Sequence, residues 1–282
     1  MDSTAVGWFC AKSEPAEHLG MVLQLAVGAR NDWRPEGEDG MVSPLRDTDA
    51  PRPLVADLFC GPNLPLSKAF LWCGWRTLSV DWMLDKSHDL SNPPRQQSLR
   101  EQLLADVDFI CAAFGCSLRG RDLQRVRTDN QACEFILEEI RLLDERGGGS
   151  VRENPWRSLH WWGSTEVSMM KSARWRDKLY DACCLGRCKA QCLRRNLDEI
   201  DHWPPLTCHH SHAPQEWTPY LQDGHTVYPS KEEAEYTAVL AFAIVVAASW
   251  WAVRVGRASL HVPRMPQFEC VGAREHWLDL DP

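Results

Sequence analysis

Two short stretches of the sequence combine acidic, glycine and aromatic residues in a way that suits a nucleoside-containing cofactor. In the first, Asp57 and Gly61 let a ligand approach the backbone, and Phe59 offers an apolar surface. In the second, Asp81 is followed directly by Trp82. An acidic residue about 20 positions after a glycine turn is where a ribose diol is hydrogen-bonded, and a neighbouring tryptophan could cover an adenine. Ordinary turn and capping roles for these residues remain the alternative.

These residues fall at the ends of predicted strands. Residues 54–59 form a short continuous apolar run, which is typical of a strand buried on both faces of a parallel sheet. Further strands are predicted at 76–80, 107–112 and 150–152, and helices at 66–71, 98–106 and 131–146. This alternation predicts an α/β fold with a doubly wound, mostly parallel sheet. Ligands of such sheets bind beyond the carboxyl ends of the strands.

The rest of the chain is arranged around this core. Residues 1–52 are predicted to be an N-terminal extension, with a helix at 15–30 and a polar linker, and residues 53–160 the cofactor-binding and catalytic core. Residues 161–228, rich in Cys, His and Arg, are predicted to be a loop-rich insert that could recognise the target. Residues 229–282 contain a helix predicted over 232–255 that returns to the core.

The cofactor motif resembles that of S-adenosylmethionine-dependent methyltransferases. The run D-L-F-C-G at 57–61, followed by Val80-Asp81, is most similar to the cytosine-C5 DNA methyltransferase family. Two further segments occur in the family's order. A strand from Asp108 leads to Cys116 where the family has its nucleophile loop, and Glu153-Asn154 stands where the family has Glu-Asn-Val. The resemblance covers residues 54–160 and implies a Rossmann-like methyltransferase sheet with S-adenosylmethionine as cofactor.

The resemblance also implies a role for each site residue. The thiolate of Cys116 would add to C6 of cytosine so that C5 becomes nucleophilic, Glu153 would bind N3, and Asn154 would shape the loop. The target base must leave the duplex to reach such a pocket. The residues implied in cofactor binding are Asp57, Phe59, Gly61, Asp81, Trp82 and Asp108.

Two departures from the family pattern keep other functions open. Gly115 replaces the proline that precedes the family's cysteine, and Asn63 replaces the second glycine of its first motif. A thiol displaced by about 1 Å can cost on the order of 100-fold in rate. One alternative is therefore a catalytically inactive methyltransferase-fold module that binds nucleic acid or is associated with a retroelement. Another is a methyltransferase for a different substrate, in which Cys116 is structural.

Local clusters of arginine favour a nucleic-acid partner, DNA more than RNA. The net charge of −8 argues against coating nucleic acid through bulk positive charge, but residues 119–127 and 171–195 are locally basic. The residues predicted to contact phosphates are Arg119, Arg121, Arg194 and Arg195. A solvated helix face is the alternative for such charge runs.

A second cluster of side chains could bind zinc. Cys184, Cys188, Cys208 and His212 supply the four nitrogen and sulfur ligands that a structural zinc ion needs. Their spacing matches no known zinc-finger pattern, and no C-x-x-C pair occurs. Simple buried thiols are the alternative interpretation.

Composition and hydropathy indicate a cytoplasmic or nuclear protein in a reducing compartment. No signal peptide is visible, and twelve cysteines in 282 residues fall short of the roughly 8–10% of a disulfide scaffold. Residues 238–253 are apolar apart from Ser249, but this stretch is shorter than the roughly 20 residues that span a membrane. It predicts a helix packed into the sheet, and we expect a monomer that does not bind membranes.

Overall fold

A six-stranded sheet forms the centre of the computed structural model, which describes residues 52–113, 123–181, 190–204, 206–207, 220–222, 225–227, 236–258 and 262. Its strands are β1 (Leu54–Leu58), β2 (Arg76–Val80), β3 (Phe109–Ala113), β4 (Gly149–Pro155), β5 (Arg176–Asp181) and β6 (Ala190–Arg195). Their order across the sheet is β2-β1-β3-β4-β6-β5. Strands β1 to β4 pair in parallel, and β6 is antiparallel to both β4 and β5. Strands β7 (Tyr220–Gln222) and β8 (His225–Val227) pair separately.

Among the described residues, five α-helices accompany the strands. They are α1 (Pro65–Trp72), α2 (Pro93–Asp106), α3 (Leu123–Glu145), α4 (Ser164–Met169) and α5 (Ala238–Arg254). Helices α1 and α2 begin with proline, whose fixed φ angle suits the first helical turn. The side chain of Thr237 caps α5 by accepting a hydrogen bond from the amide of Leu240 at 3.2 Å.

The two faces of the sheet are covered by different helices. One apolar cluster joins α1 and α5 to Val55, Phe109 and Val151, and the other joins α2 and α3 to Ala56 and Ile110. Successive strand residues therefore point into opposite layers, as expected for a doubly wound sheet. Nearly every residue of α5 is apolar, and its side chains are buried along most of its length.

The order of strands and helices in residues 53–160 confirms the predicted α/β fold. The predicted strand at 76–80 matches β2, whereas α2 and α3 begin several residues before their predicted starts. The early turns of these helices carry few apolar residues, so the hydrophobic pattern did not reveal them. The helix predicted at 15–30 lies outside the described residues.

The segment predicted to be a loop-rich insert contributes to the main sheet. Strands β5 and β6 come from residues 161–228 and extend the sheet beyond β4. Their alternation was hidden because β6 buries Arg194 and Arg195, which are polar residues at core positions. In the described part of the chain, no helix is long and apolar enough to cross a membrane.

Candidate functional site

Hydrogen bonds hold the turn after β1 against the end of β2. The amide of Phe59 donates to the carbonyl of Val80 at 2.8 Å, and the amide of Gly61 donates to the Asp81 carboxylate at 3.0 Å. Phe59 and Gly61 both have positive φ angles, 59° and 68°. A Cβ atom placed on Gly61 would meet nothing within 4 Å, so open space lies beside this turn. The turn can therefore admit a ligand close to its backbone.

Asp81 organises this end of the sheet through its carboxylate. One oxygen accepts from Gly61, and the other accepts from the amide of Met83 at 2.7 Å. Each carboxylate oxygen has two lone pairs, so both retain capacity for a ligand hydroxyl. Next to it, the Trp82 side chain is 55% exposed, and the Lys86 ammonium lies 3.2 Å from the centre of its ring. An exposed aromatic surface thus borders the open turn.

Asp57 lies below the turn and has a structural partner. Its carboxylate is 1% exposed and accepts a hydrogen bond from the Ser67 hydroxyl on α1 at 2.6 Å. Burial raises the pKa of Asp57 to about 7, the Ser67 hydrogen bonds oppose this rise, and nearby Asp81 adds to it. The side chain therefore joins β1 to α1 and fixes the direction in which the chain leaves the turn.

Glu153 and Asn154 lie near the carboxyl end of β4. Glu153 is half-buried and pairs in register with Ala113, the last residue of β3, while Asn154 pairs with Cys192 of β6. Successive strand residues alternate between faces, so Glu153 points toward the α1 and α5 layer and Asn154 toward the other. Glu153 thus shares a sheet edge and a face with Asp57.

Several predicted site residues lie outside the described residues. They are the proposed nucleophile Cys116 and two predicted phosphate contacts, Arg119 and Arg121, together with all four predicted zinc ligands, Cys184, Cys188, Cys208 and His212. Among the described residues, no group of three or more histidine, cysteine or acidic side chains could hold a metal ion.

Sequence reasoning missed Tyr236, which lies just before α5 at the same edge of the sheet. Its side chain is buried, and its hydroxyl finds no hydrogen-bond partner among the described residues. Burial raises its pKa well above 10, and the nearby Glu153, Cys111 and Asp57 raise it further. The only signal in the sequence was Thr237, which caps the start of α5. It locates Tyr236 just before the helix but does not indicate which residues surround it.

Asp108 lies at the opposite edge of the sheet from the other predicted cofactor residues. Its carboxylate accepts from the amide of Leu54 at 3.0 Å and from the guanidinium of Arg257 at 2.8 Å. It precedes β3, so it lies where the parallel strands begin rather than where they end. The structure therefore separates Asp108 from the turn at Gly61.

Arg194 and Arg195 are buried in ion pairs, which argues against the predicted phosphate contact. Arg194 is 5% exposed and binds both oxygens of Asp177 at 2.8 and 2.9 Å. Arg195 is 1% exposed and pairs with Asp201. Their charges were visible in the sequence, but their burial follows from strand pairing.

Glu166 on α4 is the centre of this buried charge network. Its two oxygens contact Arg152 of β4, the His160 ring nitrogen at 2.9 Å and Arg194 at 2.8 Å. Burial alone would raise the pKa of Glu166, but Arg152, His160 and Arg194 more than offset this and lower it to about 2. The network joins β4, β6 and α4 directly behind the strand that carries Glu153.

A cavity of about 300 Å³ lies at the opposite edge of the sheet from Gly61. Three arginines line it, and each is paired with a carboxylate: Arg174 with Asp144, Arg176 with Asp201, and Arg254 with Glu199. Their charges are thus neutralised within the protein. None of the predicted site residues borders this cavity.

Comparison with solved structures gives a distant likeness. No protein-family model and no curated protein matches the chain. The chain is similar to the crystal structure of S. pombe Dnmt2 methyltransferase, with 11% sequence identity and a TM-score of 0.37. The aligned part covers 51% of this chain and 49% of the other, so the chain spans about half of that structure's length.

The sheet itself defines the class of fold. Five strands that run in one direction, the antiparallel strand β6 between β4 and β5, and helices on both faces make this a Rossmann-like, mostly parallel α/β sheet. At its carboxyl edge this sheet places the Gly61 turn, Asp81 and Glu153.

Proposed function

We propose that the protein binds S-adenosylmethionine at the turn after β1 and transfers its methyl group to a nucleobase, cytosine C5 in DNA. The observation that carries the proposal is the meeting of three features at one sheet edge: the open turn at Gly61, the Asp81 carboxylate and the Glu153 carboxylate. A doubly wound sheet binds ligands at this edge.

The residues around the turn fit this cofactor. The open space beside Gly61 admits a ligand, the remaining lone pairs of Asp81 can accept the ribose hydroxyls, and the exposed ring of Trp82 can cover the adenine. When bound, S-adenosylmethionine supplies a methyl group on a positively charged sulfur. Asp57 supports the site from below by holding α1 against β1.

The proposed acceptor chemistry is the one that the family resemblance implies for Cys116 and Glu153. In the proposal the Cys116 thiolate forms a bond to C6 of cytosine, which makes C5 nucleophilic, and the carboxyl group of Glu153 stabilises the charge at N3. After transfer, loss of the C5 proton expels the thiolate and restores the ring. Cys116 follows Ala113 by three residues, and Ala113 pairs with Glu153.

A mechanism-based adduct tests the chemistry. Purified protein with S-adenosylmethionine and DNA that contains 5-fluorocytosine should form a covalent complex that survives denaturing electrophoresis, because fluorine at C5 cannot leave as a proton does. The variant Cys116→Ser should form none. The variant Cys73→Ala removes a buried free thiol at the C-terminal end of α1 and should still form the adduct.

Methyl transfer by Cys116→Ser at the wild-type rate would contradict the C5 mechanism. In that case cofactor binding in calorimetry would still identify a methyltransferase for a different acceptor. Absence of cofactor binding in the wild-type protein would instead favour the inactive nucleic-acid-binding module.

A further inference from the structure

Two tryptophans with exposed rings follow Glu153 and Asn154 in the loop after β4. Trp156 is 43% exposed and Trp162 is 77% exposed, and Leu159 between them is also exposed. Large aromatic rings at the surface gain nothing from core packing, so two exposed tryptophans in one short loop indicate an interaction surface. We call residues 156–162 the tryptophan loop.

The tryptophan loop is held in place by its other residues. The amide of Ser158 and the indole nitrogen of Trp161 both donate to the carbonyl of Pro155 at 2.9 Å. Trp161 is buried with the Arg194 guanidinium 4.6 Å from its ring centre, and His160 reaches Glu166. The exposed tryptophans therefore project from an ordered loop, which lowers the entropy lost when they bind a partner.

The charge of this region suits a polyanion. Between residues 156 and 171 the cationic residues Arg157 and Lys171 are exposed, whereas Arg174 and Arg176, further along the chain, are already paired with Asp144 and Asp201. The only acidic residue in that stretch, Glu166, is fully buried against arginine. The surface of the stretch thus presents aromatic rings and positive charge without a carboxylate.

We propose that the tryptophan loop binds single-stranded nucleic acid by stacking unpaired bases on Trp156 and Trp162, with Arg157 beside the phosphates. The inference rests on the proposed function, because it places the nucleotides that flank the acceptor base next to Glu153. Every base has a π face, so such stacking tolerates any sequence. In a duplex the bases are already stacked on one another and cannot stack on these rings, so the preferred substrate is a single strand or an unpaired loop.

Fluorescence anisotropy with labelled oligonucleotides of mixed sequence tests the inference on the full chain. Single-stranded DNA and single-stranded RNA form two arms, and duplex DNA forms a third. The double variant W156A/W162A should bind the single strands about fivefold to a hundredfold more weakly per stacked base, the range that base–aromatic stacking supplies. Duplex binding should change little. The stronger of the two single-strand arms identifies the nucleic acid.

Two controls separate stacking from general damage to the protein. Trp250→Ala removes a 51% exposed tryptophan on α5, far along the chain from the loop, and should bind single strands like the wild type. Replacement of both loop tryptophans by phenylalanine should retain most of the affinity, because a ring remains. Equal losses in Trp250→Ala, unchanged binding by W156A/W162A, or equal losses on duplex would overturn the inference.

The failure of this inference is distinguishable from failure of the proposed chemistry. If W156A/W162A loses single-strand binding and the wild-type protein forms no 5-fluorocytosine adduct, the binding surface is supported and the proposed methyl transfer is wrong. An adduct that forms in W156A/W162A as well as in the wild type, with no change in single-strand affinity, would keep the chemistry and reject the surface.

Discussion

Two buried carboxyl groups lie in opposite layers of the sheet, and folding shifts their pKa values in opposite directions. Asp57, on the side of α1, has a serine hydroxyl as its partner, and burial raises its pKa to about 7. Burial alone would also raise the pKa of Glu166, in the other layer, but Arg152, His160 and Arg194 lower it to about 2. Burial of a carboxylate is thus costly in both places, and only a cationic partner reverses the effect.

The difference between the two carboxyl groups corresponds to different roles. The carboxylate oxygens of Glu166 are paired with arginines, and these ion pairs join α4 to β4 and β6, so Glu166 contributes to stability. Asp57 lies directly under the open turn that we propose as the cofactor site, and no cation among the described residues pairs with it. Asp57 is therefore held by a neutral hydrogen bond, whereas Glu166 is held by ion pairs.

Glu166→Gln should have the largest effect, because it leaves Arg152 buried without its carboxylate partner and removes one of the two carboxylates that pair with Arg194. We expect the free energy of unfolding at neutral pH to fall by about 3–5 kcal/mol, the cost of breaking a buried ion pair. Urea denaturation measures it. The control Glu145→Gln removes an exposed partner of Arg141 and should cost no more than about 0.5 kcal/mol. Similar midpoints for the two variants would show that the network adds nothing to stability.

Asp57→Asn should change the pH dependence of stability. The pKa of Asp57 is raised from 3.8 to about 7 by folding, so the stability contributed by its protonated form is complete below pH 4 and is lost as the pH rises toward 7. Wild-type stability should fall by up to roughly 1.4 kcal/mol per pH unit from this group, about 2 kcal/mol in total between pH 5 and 7.

The asparagine variant keeps an acceptor for Ser67 and cannot ionise, so its advantage over the wild type should grow across this range. Urea titrations at several pH values measure the difference. Asp106→Asn alters an exposed residue at the end of α2 and should not show this growth. A parallel pH profile for Asp57→Asn and wild type would mean that Asp57 ionises normally in the folded protein.

Asp81→Ala should weaken binding of S-adenosylmethionine by about 1–3 kcal/mol, the scale for a lost hydrogen bond to a charged group. Calorimetry with the purified protein measures it. Asp108→Ala alters a carboxylate at the opposite edge of the sheet and should leave the affinity unchanged in the folded fraction. Unchanged affinity in Asp81→Ala would remove Asp81 from the proposed site.

Gly61→Ala should have the smallest effect on the fold and a selective effect on binding. Gly61 and Gly256 have nearly the same positive φ, 68° and 73°, and a Cβ atom on either meets nothing within 4 Å. Alanine at either position should therefore cost a similar 1–2 kcal/mol of unfolding free energy, roughly, from backbone strain. Only Gly61→Ala should also weaken cofactor binding, because its methyl group enters the open space. Equal cofactor affinities for the two variants would place the ligand elsewhere.

Hydrophobic runs made the central strands predictable from the sequence. Strands buried on both faces must be almost wholly apolar, so β1 and β3 were visible as short runs at Leu54 and Phe109. Strands β5 and β6 were not visible, because β6 holds Arg194 and Arg195 at buried positions and Tyr180 is the one buried residue of β5. The buried arginines are tolerated because carboxylates of Asp177 and Asp201 pair with them.

The α/β class, the order of the first strands and the residues that follow them could be predicted from the sequence, because the hydrophobic pattern and the turn residues act over a few positions. The contacts of Asp81 with the Gly61 turn, of Asp108 with Arg257 at the far edge, and of buried Arg194 with Glu166 arise only on folding. These outcomes depend on contacts between residues up to 149 positions apart. The free energy of a charge is set by the neighbours that folding brings to it, and no local pattern records them.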